Sequence, residues 1–293
     1  MGSALTAGSG LASSRPSGSV EETESPVPAI SRWRFAETPG GWTPQAAAAR
    51  LRILVAERGA CEVRIGTNRP LLLDPCVSVV VPAGRPSSVR RLTIRVPEGI
   101  SIGAPESSIG AFRESRDGDT AFSAAAGVSD WLRVLPAVQA VIGSRGDPAD
   151  ERCVTAFIET ALGGRFSPPD EGPSRPRAAA LRIRALLVDK FTHGPTLSAI
   201  GRVLNLSPFY ACHVFRRYFG LSIHQFVVEL RVREALTRIA NGDSRFSDLS
   251  HELGFSSPSH FSETLKRRLG CSATAISRMF GSAAVTRGAD GGR

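Results

Sequence analysis

The sequence predicts an α+β chain: an antiparallel β domain in front and an all-α domain with two helix-turn-helix units behind. Three observations predict it. Between residues 50 and 96 the texture is strand-like: residues 61–66 alternate apolar and polar with a period of two, and short apolar runs follow between turn residues. Beyond residue 176, apolar residues recur at helical spacing. That helical pattern then returns fifty residues on, and an internal repeat is a stronger signal than either copy alone.

Charge divides the chain in the same place. Residues 177–280 hold fifteen Lys/Arg against seven Asp/Glu, a net +8 of the whole chain's +9. Residues 1–176 hold nineteen of each and are neutral. A neutral front joined to a basic back implies that only the back meets a polyanion. The five cysteines (Cys61, Cys76, Cys153, Cys212, Cys271) contain no C-x-x-C pair, which argues against a zinc ribbon. An odd number in a chain of 293 residues fits a reducing cytoplasm better than a disulfide scaffold. No apolar run is long enough to span a bilayer, and the start of the chain lacks the blocks of a signal peptide.

Residues 1–27, rich in Gly, Ser, Pro and Glu, bury little and are expected to be a disordered tail. Residues 28–166 form the front domain. In it Cys61, Val63 and Ile65 alternate with Glu62, Arg64 and Gly66. Apolar runs at 71–73, 77–81 and 92–96 are separated by the turn signals Asp74-Pro75 and Pro82-Ala83-Gly84, as in an antiparallel sandwich or barrel. Helical stripes follow at 128–142 and 152–162. Residues 167–176 are a polar, proline-broken linker. The helical domain spans 177–280, and 281–293 is expected to be a second disordered tail.

Within the helical domain, Thr196 is an N-cap for a short helix carrying Leu197, Ile200 and Val203. Asn205-Leu206-Ser207 breaks the period, and a second helix runs from Pro208 to Phe219. Ala211, Val214, Phe215 and Tyr218 form its inner face, which leaves Phe209, Cys212, His213, Arg216 and Arg217 outward. Phe246 and Leu249 begin the second unit, Gly254-Phe255-Ser256 is its turn, and Phe261 and Leu265 face inward from its second helix. Arg216-Arg217 is answered by Lys266-Arg267, and Gly220-Leu221-Ser222 by Gly270-Cys271-Ser272. Between the units, one stripe (Ile223, Phe226, Val227, Leu230) and a second nine residues later (Val232, Ala235, Leu236, Ile239) point opposite ways on one helix. Such a helix packs one half on each unit, and Asn241-Gly242-Asp243 stops it.

These residues carry a resemblance. Leu206-Ser207-Pro208, Phe215-Arg216-Arg217, Gly220-Leu221-Ser222, the run from Arg231 to Leu236, the run from Glu252 to Ser257, Ser259-His260-Phe261-Ser262, and Lys266-Arg267 to Gly270-Cys271-Ser272 together resemble the DNA-binding domain of AraC/XylS transcription regulators. The resemblance implies double-stranded DNA as partner, with recognition helices in successive major grooves. It places Phe209, Cys212 and His213 at bases in the first unit, and Pro258, Ser259, Ser262 and Glu263 in the second. Arg216, Arg217, Lys266 and Arg267 fall nearer phosphates. The chain departs from the family at Ile223 and Ala273, where proline is usual after serine, at Ile276, where an aromatic is common, and at Glu263, where a basic residue is common.

Regulators of this family often carry a cupin-like sensor in front, and residues 61–96 are similar to one. The resemblance implies a small-molecule effector, a homodimer contact through the helices after the strands, and RNA polymerase as a further partner. Catalytic cupins hold a metal with histidine clusters, but all five histidines here lie at or after His193. No metal, cofactor or catalytic residue is therefore expected. Two readings stay open for the front domain: an effector sensor, or a thiol-based sensor or enzyme-like domain using Cys61 and Cys76.

Overall fold

A computed structural model describes residues 29–35, 41–67, 69–104, 122–124 and 174–285. The helical stripes expected at 128–142 and 152–162 lie outside these residues, as do the tail at 1–27 and most of the linker.

The front domain is built of nine described strands: β1 (Ala29–Arg34), β2 (Thr43–Gln45), β3 (Leu51–Arg58), β4 (Cys61–Ile65), β5 (Leu71–Leu73), β6 (Ser78–Val81), β7 (Ser87–Arg91), β8 (Glu98–Ala104) and β9 (Phe122–Ala124). They form a five-stranded sheet, in the order β1-β8-β3-β6-β9, and a four-stranded sheet, β2-β7-β4-β5. Every pairing is antiparallel. The period of two works as expected on β4: Cys61, Val63 and Ile65 are buried with Trp33, Leu54, Ala56, Leu73, Val79, Val81 and Val89 in a core shared by both sheets. Residues of β3 alternate into two apolar clusters. Leu54 and Ala56 join the inter-sheet core, while Leu51, Ile53 and Val55 join Val80, Ile100 and Ile102 in the other. The five-stranded sheet is therefore apolar on both faces.

One expected strand is absent. Residues 92–96 form the irregular connection between β7 and β8. Leu92 N–H still donates to the Ala60 carbonyl at 3.0 Å, but the donors after it leave the ladder: Ile94 and Arg95 N–H groups donate to the Asp189 carboxylate, at 2.8 and 3.1 Å. Thr93 Oγ1 donates to the Arg95 carbonyl at 2.8 Å, and Ile94 points outward. The apolar texture was real, but a side chain from the other domain takes the hydrogen bonds a partner strand would have taken.

Behind the strands are seven described helices: α1 (Arg175–Lys190), α2 (Leu197–Leu204), α3 (Pro208–Phe219), α4 (Ile223–Ala240), α5 (Phe246–Glu252), α6 (Pro258–Leu269) and α7 (Ala273–Val285). α1 starts inside the stretch expected to be linker. Ser174 caps it, accepting from Arg177 N–H at 3.3 Å, and Pro176 sits in the first turn, where a missing N–H costs nothing. At the far end α7 runs to Val285, past the expected limit of 280.

Serine hydroxyls start the remaining long helices. Ser207 accepts from Tyr210 N–H, Ser257 from His260 N–H and Ser272 from Ala275 N–H, at 3.1, 3.1 and 3.2 Å. Ser222 and Gln225 make a reciprocal capping box on α4. Each such cap contributes about 1 kcal/mol. All eight residues of the two α4 stripes are buried. The first half of α4 packs Phe226 on Phe215, with ring centroids 5.5 Å apart. Beyond it, Arg231 lies over Phe255 and Arg238 pairs with Asp243 and Glu252 of the second unit. One helix thus braces both units, as its two stripes require.

The two domains share a contiguous core. Ala60, Leu72 and Cys76 belong to the same buried cluster as Ala180, Ile183, Leu187 and Val188 of α1. Glu62, on the polar side of the β4 alternation, is fully buried there, paired with Arg90 and with Arg177 of α1. α1 thereby covers the outer face of the four-stranded sheet at Glu62 of β4 and Leu72 of β5. Among the described residues no helix is long and apolar enough to cross a membrane.

Candidate nucleic-acid interface

Each unit is a short helix, a turn and a longer helix, and the second longer helix presents a basic outer face. On α3, Ala211, Val214, Phe215, Tyr218 and Phe219 are buried. Phe209 is 84% exposed, an unusual position for a bare phenyl ring. His213, Arg216 and Arg217 are exposed beside it. Cys212 is only half-exposed and packs partly against the core, so it presents less surface than the sequence suggests. On α6, Phe261, Thr264 and Leu265 are buried, and Pro258, Ser259, Ser262, Glu263, Lys266 and Arg267 are exposed. Each expected site residue except Cys212 thus lies on an exposed face of one of two helices.

The two faces differ in charge. Glu263 sits 3.9 Å from Arg267, one helical turn on, and both are well exposed. This pair takes part of the charge off the second face. An exposed pair of this spacing is worth only about 0.3–0.5 kcal/mol, so a phosphate can readily compete for the guanidinium. Arg268, not singled out from the sequence, is exposed on the same helix and lies 3.8 Å from Glu229 of α4.

The structure also resolves the repeat more finely. Through the first helix and turn the offset is 49: Leu206 N–H donates to Gly201 O at 2.9 Å, and Phe255 N–H to Ser250 O at 2.9 Å. Asn205 and Gly254, at the same offset, both adopt left-handed backbone, with φ of 54° and 79°. From the N-caps Ser207 and Ser257 onward the offset is fifty. The second turn therefore holds one extra residue, Ser256, whose hydroxyl lies 2.9 Å from His260 Nδ1. The difference is visible in the sequence: Leu204-Asn205-Leu206 and Leu253-Gly254-Phe255 correspond at 49, while the basic and glycine motifs after them correspond at fifty.

Comparison with known proteins agrees with this geometry. The family described as "Helix-turn-helix domain" matches residues 200–279. Over 90 residues the chain is 28% identical to the virulence regulon transcriptional activator VirF of Yersinia enterocolitica, covering 31% of this chain and 33% of that protein. It is 24% identical over 101 residues to the Msm operon regulatory protein of Streptococcus mutans, covering 34% and 36%. The C-terminal part of the chain is an AraC-type helix-turn-helix domain. The chain matches only about a third of the length of these relatives. Over a longer span, ToxT of Vibrio cholerae is similar at 12% identity, covering 89% of this chain and 99% of that chain, with a TM-score of 0.35.

Among the described residues, the front domain's thiols, Cys61 and Cys76, are poorly placed for chemistry. Cys61 lies in the inter-sheet core and Cys76 in the cluster beneath α1, so they belong to separate apolar clusters. Burial pushes the Cys76 thiol up to about 12, with Asp74 and Glu229 adding and Arg233 and Arg184 opposing. Burial raises Cys61 further, helped by Asp74 and Glu62. A raised thiol stays protonated, and the thiolate is the nucleophile. At pH 8 in the native full chain, Cys61 and Cys76 are expected to react with iodoacetamide on the order of a thousandfold more slowly than a free thiol. Denaturation, or a pH near 12, should release them. Mass mapping of the labelled sites checks this, and native labelling of either cysteine at the rate of Cys212 would contradict it.

Proposed function

We propose that this chain is a cytoplasmic DNA-binding transcription regulator of the AraC/XylS type, without catalytic activity, whose front domain responds to a small organic effector. The single observation that supports it best is the pair of exposed helix faces on one scaffold, each ending in adjacent basic residues, in a domain of that type. In this reading Phe209 and His213 meet bases from the first unit, with Cys212 marginal, and Pro258, Ser259, Ser262 and Glu263 meet them from the second. Arg216, Arg217, Lys266 and Arg267 meet phosphates. The full protein acts as a homodimer and contacts RNA polymerase when bound.

The buried thiols count against the thiol-sensor alternative, since both lie in apolar surroundings. Support for effector sensing comes from the construction of the junction: the front domain is joined to the first helix of the DNA-binding domain through a shared core rather than tethered by a loose linker.

The test is titration of the full protein on a duplex covering its own promoter and on a scrambled duplex of equal length, across a salt series. Affinity should fall about a thousandfold between 50 and 200 mM salt, because several phosphate contacts release counterions. Arg217→Ala should weaken binding to both duplexes and flatten the salt slope by about one. Glu263→Arg should tighten binding to scrambled DNA and erode discrimination, since a carboxylate at the base edges still feels the negative field of the phosphates lining the groove. Salt-independent binding would sink the proposal, and weaker binding of scrambled DNA by Glu263→Arg would displace α6 from the interface.

A further inference from the structure

We propose that Arg184 is a positioning residue through which the front domain holds the first recognition helix, and that the second recognition helix escapes this hold. The inference rests on the reading of α3 and α6 as recognition helices and adds where the state of the front domain enters them.

The geometry begins at the turn between β5 and β6. Asp74 and Val77 exchange backbone hydrogen bonds at 3.2 and 3.0 Å, and Asp74 Oδ1 accepts from Cys76 N–H at 2.8 Å. The same carboxylate pairs with Arg184 of α1: Nε donates to Oδ2, and Nη2 to Oδ1 at 3.1 Å. Both side chains are buried, at 3% and 0% exposure. The guanidinium then lies over two rings of the helical domain, 4.5 Å from the centroid of Phe219 and 4.4 Å from that of Phe226. Phe219 is the last residue of α3, and both rings pack on Phe215 of the same helix. A turn of the front domain is therefore joined, through one side chain, to the aromatic core beneath the first recognition helix.

A buried guanidinium tolerates its surroundings because an anion compensates it. Without the Asp74 charge, Arg184 is driven toward water and off the two rings. Two further contacts bind the front domain to the same helix: Glu62 with Arg177, and Asp189 with the N–H groups of Ile94 and Arg95. Farther along, the joint opens. Between the front domain and α4 lies a cleft lined by Arg58, Arg95, Val188, Leu230 and Glu234. The ion pair across it, Arg58 with Glu234, is 3.6 Å long with Arg58 half exposed, and such a pair transmits little. The grip is thus on α1, on α3 and, through Phe226, on the first half of α4, while α4 reaches α6 through the partly exposed Arg268–Glu229 pair, 3.8 Å long, which transmits little.

The test uses the full chain and hydrogen exchange read by mass spectrometry on peptides from α1, α3 and α6. Asp74→Asn keeps the shape of the turn and its Cys76 cap while removing the charge. Exchange in α3 and the second half of α1 should speed up about tenfold or more, with α6 changing less than about twofold. Asp74→Asn/Arg184→Met should restore most of the protection, because methionine fills the site without needing an anion. If the single variant does not fold, folding of the double variant is itself that rescue. Arg184→Lys keeps the charge and loses the flat stack, so it should loosen α3 by a smaller factor. Equal acceleration of α3 and α6 would reduce the pair to general stability and overturn the inference. Unchanged α3 exchange, or acceleration that the double variant leaves in place, would overturn it as well. Titration of the wild-type chain on a random 30-base-pair duplex judges the DNA-binding reading separately: absence of binding there sinks that reading, whatever the exchange shows.

Discussion

Replacing Gly254 by alanine is expected to cost the helical domain about 3–5 kcal/mol, the combined size of a left-handed non-glycine residue and an overpacked contact. Gly254 has φ of 79° in the turn of the second unit. A Cβ there would collide with the Thr192 carbonyl oxygen and come within 2.7 Å of the Arg231 guanidinium. Neither can give way cheaply. Thr192 belongs to a 3₁₀ turn that follows α1, and Arg231 Nε donates to the neighbouring Phe191 carbonyl at 3.1 Å while its guanidinium lies over Phe255. This is where the turn of the second unit abuts the end of α1, so the substitution pushes the two units apart. For a domain of about a hundred residues the melting temperature should drop by roughly 10 °C or more. Thermal unfolding followed by circular dichroism measures it. Gly220→Ala serves as control: that glycine is also left-handed, at φ of 70°, but a Cβ would meet nothing within 4 Å. Gly220→Ala should cost only the backbone share, about 1–2 kcal/mol. Equal losses at both positions would mean that the contact between units contributes nothing.

Gly99→Ala is the corresponding substitution in the front domain, expected to cost about 3 kcal/mol, the upper end of the usual range for overpacking. Gly99 lies on β8 between β1 and β3, opposite Trp33 on one side and Ala56 on the other. A Cβ would collide with the Val55 carbonyl and stand 2.9 Å from both Ala56 Cα and Trp33 Cζ2. Trp33 cannot swing aside freely, because its indole N–H donates to Ile100 O at 2.8 Å in a buried site. The wider interest is where the damage spreads. Because Ala60, Leu72 and Cys76 share a core with α1, loosening the sandwich should also lower the temperature at which the helices unfold. Urea unfolding followed by tryptophan fluorescence and by helical circular dichroism should shift together. A fluorescence midpoint that falls while the helical midpoint stays in place would show that the two domains unfold independently.

The helical half was legible because its information is local. The stripes of α3 and α4 repeat within a turn or two, so Val214, Phe215, Phe226 and Leu236 could be assigned inward from spacing alone, and all are buried. Outward faces follow by subtraction, which placed Phe209, His213, Arg216 and Arg217 in the open. Cys212 shows the limit of that subtraction: at the edge of the stripe, the neighbouring helix decides how much of it is covered. The extra residue at Ser256 is masked in the sequence by the basic and glycine motifs after it, which repeat at fifty, and shows only in the turn before it, which repeats at 49.

What the sequence determined alone was therefore the class of each half, the two-unit repeat, the bracing helix and the basic faces, since periodicity states which side of an element is apolar. Periodicity does not state what will cover that side. Leu92 to Val96 reads as a strand, yet the Ile94 and Arg95 N–H groups go to Asp189, about 95 residues away. Glu62 reads as the solvent side of a strand and Asp74 as a surface turn, yet α1 buries both beneath Arg177 and Arg184. Only the tertiary structure decided these, because a carboxylate loses its water when an oppositely charged partner takes water's place, and here that partner lies more than a hundred residues along the chain.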